Sequence, residues 1–270
     1  MSKADQTASQ RQIFEGRAER ERQHYNRLAT RNGADDLTMP QWNIERYRNV
    51  PEDTEFPLEY AYHLLGDIIG KTVLDLGCGE GLNTTILAAL GANVVAVDLS
   101  DECLELTYRR ARANGVASRV RLMQSDAAGI PLQDGEADRV LCAAILHHVD
   151  FLQTARHIHR ILKLGGLSVF EEPMTGPDWF CAVKKFLPKD PAATDDERPL
   201  SLQDVQAVSR AVGRHGRSRY FGVVARVATR FNPAEFATIR RFHRFDRWLL
   251  KTLPWAQAFA SPLVWAAQKA

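Results

Sequence analysis

The stretch "VLDLGCGEGLNTTILAALGANVVAVDLS", residues 73–100, decides the fold. It reads as a short apolar strand, a glycine turn, a helix and a second apolar strand that ends in the acid Asp98. Glycines in such a turn let a ligand lie against the backbone, where a Cβ would collide with it. The helix that follows offers unpaired N–H groups to the polar end of that ligand. This order of elements predicts a nucleotide-cofactor site.

The spacing of the glycines discriminates between two kinds of cofactor. Dinucleotide sites carry G-x-G-x-x-G, with a phosphate on the helix N-terminus, whereas Gly77, Gly79 and Gly81 form G-x-G-x-G. Asp75 and Glu80 place negative charge beside this loop, which disfavours a pyrophosphate and favours a cationic amine and a sulfonium. The sequence therefore predicts S-adenosylmethionine as the cofactor rather than a dinucleotide.

The segments around this stretch predict an α/β fold with a doubly wound sheet. Short apolar strands alternate with helices from Thr72 to Pro173, and strands that are apolar throughout are typical of a parallel sheet covered on both faces. Ser100 is predicted as a helix N-cap, and Gly115 and Gly165-Gly166 as helix ends. Further helices are predicted at 58–69, 151–163, 201–212 (N-cap Ser201) and 232–253 (N-cap Asn232), and further strands at 218–228 and 262–269.

The composition is that of an ordinary globular protein of 270 residues with a net charge of only +2. Such a charge gives no global attraction to nucleic acid. The four cysteines form no C-x-x-C pair, so reduced thiols are expected rather than disulfides or a zinc site. The N-terminus lacks the apolar core of a secretory signal, and no apolar run reaches the length of a membrane helix. We therefore expect a cytoplasmic protein.

Five segments within residues 72–173 resemble, in order and spacing, the successive motifs of the class I S-adenosylmethionine-dependent methyltransferases. The resemblance implies an enzyme that transfers a methyl group from this cofactor. It also implies a seven-stranded, mostly parallel sheet whose last strand is antiparallel. The segments are "VLDLGCGEG", "VVAVDLS", "MQSDAAGIPL", "DRVLCAAILHHV" and "LKLGGLSVFEEP".

The same resemblance implies where the cofactor contacts this chain. The implied contacts are Asp75, Gly77, Gly79 and Gly81 for the methionine part, Asp98 for the ribose hydroxyls, Leu99, Asp126 and Ala127 for the adenine, and Ala143 to Leu146 beneath the sulfonium.

Methyl transfer needs an acceptor held in line with the S–CH3 bond, and a general base helps when the acceptor starts protonated. His147 and His148 are the candidate bases; alternatively, they pack against the sheet and orient a loop. Because side chains alternate along a strand, one of Glu171 and Glu172 should face the cleft, and Glu172, nearer the strand tip, is predicted to contact the substrate. Some quinone-pathway members of the family carry E-x-x-E-H here and use a metal. Both acids are absent from this chain, where the motif becomes Ala144, His147 and His148, so no metal site is expected.

Residues 1–57 are predicted to form a helical lid over the methyltransferase domain at 58–270, which carries an insertion at 174–215. Aromatic walls suit a flat or lipophilic acceptor, although an aromatic residue taken alone is more often explained by packing. The predicted pocket residues are Tyr25, Trp42, Tyr47 and Trp179.

The acceptor itself is left open between three classes. A small organic molecule, aromatic or acidic, methylated at O or N, is the first. A lipid-like or quinone acceptor at a membrane surface is the second, because residues 206–251 hold eleven basic and two acidic residues interleaved with aromatics. Nucleic acid is the least favoured, since no "NPPY"-type tetrapeptide follows the fourth strand.

Overall fold

The computed structural model describes residues 37–177, 198–225, 228 and 236–270, with a seven-stranded sheet at their centre. The strands are β1 Thr72–Leu76, β2 Asn93–Asp98, β3 Val120–Gln124, β4 Ala137–Ala143, β5 Leu162–Glu172, β6 Arg214–Tyr220 and β7 Leu263–Gln268. The α-helices within these ranges are α1 Gln41–Glu45, α2 Pro57–Leu65, α3 Leu82–Ala89, α4 Asp101–Ala113, α5 Phe151–Ile161, α6 Leu202–Val212 and α7 Phe236–Thr252.

The strand order is β3-β2-β1-β4-β5-β7-β6; strands β1 to β5 are parallel to one another, and β7 is antiparallel to both β5 and β6. This confirms the predicted doubly wound sheet and its antiparallel last strand. The chain order reverses between β1 and β4, and in open α/β sheets ligands bind in the crevice outside the carboxyl ends at such a point. The topology therefore places the site beside the glycine turn after β1.

The two predicted side-chain N-caps in the described ranges are confirmed. The Ser100 hydroxyl accepts from the Cys103 N–H at 3.0 Å at the start of α4. Ser201 and Asp204 form a reciprocal capping box at the start of α6, which satisfies two N–H groups that a helix start leaves unpaired. Asn232 lies outside the described residues.

The strand predicted at 218–228 is wrong in position. The strand is β6, which ends at Tyr220, and a helical turn begins at Val224. The cause lies on α7, where the buried carboxylate of Asp246 accepts N–H bonds from Val223, Val224 and Ala225 at 2.8–3.0 Å. A carboxylate favours a helix start over a strand, and here it is supplied from 21 residues or more downstream.

Gly165 and Gly166 were predicted to end a helix, and this is wrong. Helix α5 stops at Ile161, and both glycines lie inside β5. A Cβ added at Gly166 would lie 2.8 Å from the carbonyl oxygen of Lys163. The glycine pair therefore serves a tight irregularity in the strand rather than a helix cap. Gly115 does follow the C-cap of α4, with a φ of 71°.

The sheet is buried between two apolar layers. One layer gathers Phe170 and Trp265 with residues of α5 and α6, and the other gathers Val169 with residues of α2. The described end of the predicted lid joins the second layer through Ile44 and Val50. The lid boundary at residue 57 stays a prediction.

Candidate active site

The glycine turn after β1 is held by the sheet and left open at one position. The N–H groups of Gly77 and Cys78 both donate to the Val97 carbonyl, at 2.8 and 3.0 Å. Gly81 has a φ of 77°, and a Cβ there would lie 2.6 Å from the Cα of Thr107. Gly79 also has a positive φ, of 50°, but a Cβ there would meet nothing within 4 Å. Gly81 thus serves packing, while Gly79 borders the open space in which a ligand can lie.

Asp75 lies beneath this turn with only 2% of its surface exposed. Its carboxylate accepts a 2.6 Å bond from the Thr84 hydroxyl. Burial raises the pKa of Asp75 to about 6, and the charge of Asp98 adds to the rise, against the Thr84 bond, which lowers it. A buried carboxylate without a cationic partner is costly, so this residue fits a ligand that brings a positive charge, as the methionine amine of S-adenosylmethionine does.

Asp98 lies at the carboxyl end of β2, and both of its carboxylate oxygens are oriented by the backbone. One accepts from the Ser100 N–H at 2.9 Å and the other from the Gly79 N–H at 2.8 Å. Burial raises the pKa of Asp98. Since a carboxylate oxygen has two acceptor positions, each retains capacity for a ribose hydroxyl. The residue thus fits its predicted role.

The predicted adenine contacts lie in the loops that follow β2 and β3. Leu99 is half-buried, and Ala127 is buried in the first apolar layer. Asp126 is exposed, and its carboxylate accepts from the Ala128 N–H at 2.8 Å. The Ser125 N–H donates to the Asp98 carbonyl at 3.0 Å, which ties this turn to the ribose-side acid. The individual adenine contacts stay predictions.

The loop after β4 touches the glycine turn. A Cβ added at Gly77 would lie 2.2 Å from Cδ1 of Ile145, so the glycine is needed for this contact. Ala143 is half-buried at the end of β4, and Ala144 has a left-handed φ of 57°. The two loops therefore form one continuous surface at the predicted floor beneath the sulfonium.

Glu172 holds this floor and does not face the cleft. It is 0% exposed. One oxygen accepts from the Ile145 and Leu146 N–H groups at 2.9 and 2.7 Å, and the other lies 2.7 Å from Nδ1 of His147. A side chain without exposed surface cannot touch an acceptor, so the predicted substrate contact is wrong. Glu172 orients the turn after β4 instead.

The two predicted bases are brought together but are largely buried. His147 and His148 are 6% and 9% exposed, and their ring centroids lie 3.9 Å apart. The contact of His147 with Glu172 supports the alternative in which this histidine orients a loop. A role for His148 as a base stays a prediction.

Two of the four predicted acceptor-pocket aromatics lie in the described ranges. The ring of Tyr47 packs against that of Tyr62, with centroids 4.6 Å apart. Trp42 is 65% exposed and lines an outer cleft of about 440 Å³ between the 51–59 segment and α7. Tyr25 and Trp179 lie outside the described residues.

Sequence analysis missed Tyr62 and ranked Glu171 below Glu172. Strand register was the signal for Glu171: Asp75 pairs with Leu141, and Ala143 pairs with Glu171. Paired residues share a face, as do residues two apart on a strand, so Asp75 and Glu171 lie on the same face of the sheet. Glu172 lies on the other.

In the described ranges, no three histidine, cysteine or acidic side chains are grouped so as to hold a metal ion. No helix found there combines the length and apolarity that crossing a bilayer requires.

Comparison with known proteins agrees with this geometry. A family model described as a methyltransferase domain matches residues 74–170. The ubiquinone biosynthesis O-methyltransferase of Bordetella pertussis is 28% identical over 173 residues, which is 56% of this chain and 69% of that protein. The enzyme of the same name from Xanthomonas oryzae pv. oryzae is 39% identical over 104 residues, 37% of this chain and 42% of that protein.

Solved structures share the fold at low sequence identity. The geranyl diphosphate C-methyltransferase of Streptomyces coelicolor superposes with a TM-score of 0.59 at 16% identity, over 78% of each chain. A sarcosine dimethylglycine methyltransferase homologue from Galdieria sulphuraria gives 0.60 at 15% identity, over 91% of this chain and 98% of its own. With the glycine turn, Asp75 and Asp98 in place, residues 74–170 of this chain form a methyltransferase domain, with the Rossmann-like fold of S-adenosylmethionine-dependent methyltransferases.

Proposed function

We propose that this enzyme methylates a hydroxyl oxygen of a small, flat organic acceptor. The observation that carries the proposal is the face beside the glycine turn, where the half-buried ring of Tyr47 packs at a tilt against the buried ring of Tyr62, on the same side of the sheet as Glu171. Aromatic walls with few polar groups suit a flat acceptor. The O-methyltransferase name of the curated relatives supports oxygen over nitrogen.

The bound cofactor supplies an electrophilic methyl group, and the residues of the chain hold and orient the reactants. Asp75 would pair with the amine and Asp98 with the ribose hydroxyls, while Glu172 fixes the turn after β4 as a floor. The described cysteines Cys78, Cys103 and Cys142 are buried free thiols, which supports a reducing, cytoplasmic setting.

We expect release of S-adenosylhomocysteine with phenols and catechols when acceptors are assayed as a panel. The panel should match each phenol with the corresponding aniline and thiophenol, so that only the nucleophilic atom differs. Turnover with anilines and none with phenols would contradict oxygen methylation. Cofactor binding measured by calorimetry in the same samples separates a missing acceptor from a protein that fails to bind the cofactor.

A second proposal concerns where the acceptor is met, and it rests on the outward face of α7. Phe245 and Trp248 are 46% and 57% exposed, with ring centroids 5.6 Å apart, and Trp255 follows them, also exposed. Two exposed aromatic rings in contact are unusual on a helix that also carries a buried residue, Asp246, bound to the backbone of residues 223–225. Arg241 and Lys251 flank the pair and meet no acid in the described ranges. Such a face suits the headgroup region of an anionic membrane.

Ion pairs of four other basic residues in this region favour a structural role for them over nucleic-acid binding. Arg240 and Arg244 both pair with Glu55, at 3.2 and 3.1 Å, and Arg247 pairs with Asp53 at 3.1 Å. Arg217 pairs with Glu52 at 3.0 Å. Three acids of residues 52–55 thus offset part of the local positive charge seen in the sequence.

We expect the protein to co-float with phosphatidylcholine vesicles that contain phosphatidylglycerol, and not with phosphatidylcholine alone. The double variant Phe245→Ser/Trp248→Ser should bind roughly tenfold less, because the aromatic pair would no longer be buried. Leu164→Ser is the matched control. Leu164 is also exposed, at 81%, but it lies near the amino end of β5 and not on α7. Equal flotation of all three proteins would remove the membrane proposal.

A further inference from the structure

Glu171 lies at the tip of β5, next to the strand that carries the floor of the site. It pairs with Ala143 on β4 and with Val264 on β7, and its carbonyl accepts from the Ala144 N–H at 2.7 Å. Glu171 and Glu172 are consecutive on a strand, so their side chains point to opposite faces. Glu172 is committed to the turn after β4, which leaves Glu171 on the face of the second apolar layer.

The Glu171 carboxylate is half-buried and accepts no hydrogen bond from any residue in the described ranges. Burial raises the pKa of Glu171 to about 7, and the charge of Glu172 adds to the rise. Tyr47, in the segment of the predicted lid, lies near enough to Glu171 for the carboxylate charge to raise the pKa of the tyrosine hydroxyl. Burial raises the pKa of that hydroxyl, Arg46 lowers it, and Glu59 and Glu171 raise it further. The adjacent strand-tip residues Ala143 and Val264 are uncharged.

Asp75 and Glu171 bracket the carboxyl edge of the sheet. They share a face but stand two strands apart, and Glu171 lies two residues further out along the register. Strand spacing and rise place their Cα atoms about 12 Å apart. The ring pair of Tyr47 and Tyr62 belongs to the same layer. One carboxylate therefore serves the cofactor end of the crevice, and the other lies on the side left for the acceptor.

We infer that Glu171 is the catalytic base that takes the proton of the acceptor hydroxyl, an inference that rests on the proposed O-methylation. The acceptor oxygen bonds to the methyl carbon as the C–S bond of the cofactor breaks, with its electron pair retained on sulfur. The hydroxyl proton passes to the Glu171 carboxylate and is then lost to water. A proton acceptor with a pKa near the working pH is the efficient choice for this step.

The test compares Glu171→Gln with Glu172→Gln, neighbouring and isosteric changes on opposite faces of one strand. With 3,4-dihydroxybenzoate as the probe acceptor, Glu171→Gln should lower kcat by about 100-fold or more and leave the Kd for S-adenosylhomocysteine unchanged. The wild-type kcat should rise with pH through about 7, because only the carboxylate accepts a proton. Glu171→Gln should lose that rise. Glu172→Gln should lower the melting temperature and keep the pH dependence.

A second readout does not need turnover. Infrared difference spectra of the S-adenosylhomocysteine complex should contain a carboxyl band that titrates near neutral pH in wild type and Glu172→Gln, and that is missing in Glu171→Gln. Persistence of the band in Glu171→Gln, or an unchanged kcat and pH profile, would overturn the assignment of Glu171. Absence of turnover by wild type with every hydroxyl acceptor, by contrast, would refute the proposed O-methylation and with it the proton transfer assigned here.

Discussion

Replacing Asp75 with asparagine should weaken S-adenosylmethionine binding roughly 100-fold at pH 7.5, the loss expected for one charge-assisted bond in a buried site. The change keeps the size of the side chain and an oxygen that can accept the Thr84 hydroxyl bond. It removes the negative charge that a cationic amine would meet. Titration calorimetry on the purified protein gives the affinity.

The same variant should abolish a pH dependence. In the free protein the pKa of Asp75 is about 6, and a bound cation would favour the carboxylate, so wild-type affinity should fall as the pH drops below about 6. The asparagine variant should bind weakly and evenly from pH 5 to 8. A variant that bound as tightly as wild type at pH 7.5 would contradict the pairing of Asp75 with the amine.

Asp75→Asn should affect the stability of the free protein in the opposite direction from its effect on cofactor affinity. Because the folded-state pKa of Asp75 is raised above its ordinary value of 3.8, the folded protein binds more protons than the unfolded chain between the two values. This extra proton binding stabilises the folded protein at low pH. The free energy of unfolding therefore falls as the pH rises toward 6 and Asp75 loses its proton. Asp75→Asn should thus melt at the same temperature as the free wild type or higher at pH 7.5. Glu105→Gln, an exposed change on α4, is the control and should alter neither quantity.

The pair Gly79→Ala and Gly81→Ala should separate binding from folding within one turn. At Gly81 the added Cβ meets the Thr107 backbone at 2.6 Å, and the left-handed φ adds about 1–2 kcal/mol of strain. A total loss of roughly 3 kcal/mol should lower the melting temperature by about 10 °C. Differential scanning calorimetry measures this.

Gly79→Ala should instead leave the fold nearly intact and weaken cofactor binding on the order of 100-fold, because its Cβ would point into open space that a ligand is expected to fill. Its free energy of unfolding should fall by only the strain contribution, about 1–2 kcal/mol. If Gly79→Ala bound S-adenosylmethionine like wild type, the ligand would have to lie elsewhere than against this turn.

The placement of the predicted cofactor residues around one turn was predictable because its determinants are local. Asp75, the three glycines and Asp98 fall within 24 consecutive residues, and the rule that ligands bind where strand order reverses places them together. Their backbone contacts follow from the loop itself.

The acceptor half was less predictable because its determinants are distant or degenerate. The alternation of side chains along β5 predicts that Glu171 and Glu172 lie on opposite faces of the sheet. It does not predict which of the two faces the turn after β4 occupies. The charge of residues 206–251 could not be weighed without Glu52, Asp53 and Glu55, since these partners lie 165 to 194 positions away in the chain. The end of β6 depended likewise on Asp246, a buried capping residue that local propensity does not reveal.

The three contacts of Glu172 have a consequence for how this enzyme could acquire new acceptors. The carboxylate of Glu172 binds the Ile145 and Leu146 N–H groups and the His147 ring, and so it connects the ends of β4 and β5 into one rigid surface. Such a surface resists substitution, because displacing any of these partners would leave the buried carboxylate without its contacts. Diversity among acceptors should therefore arise on the opposite wall, in the lid segment that carries Tyr47, where side chains can be exchanged without disturbing the methyl-donor end.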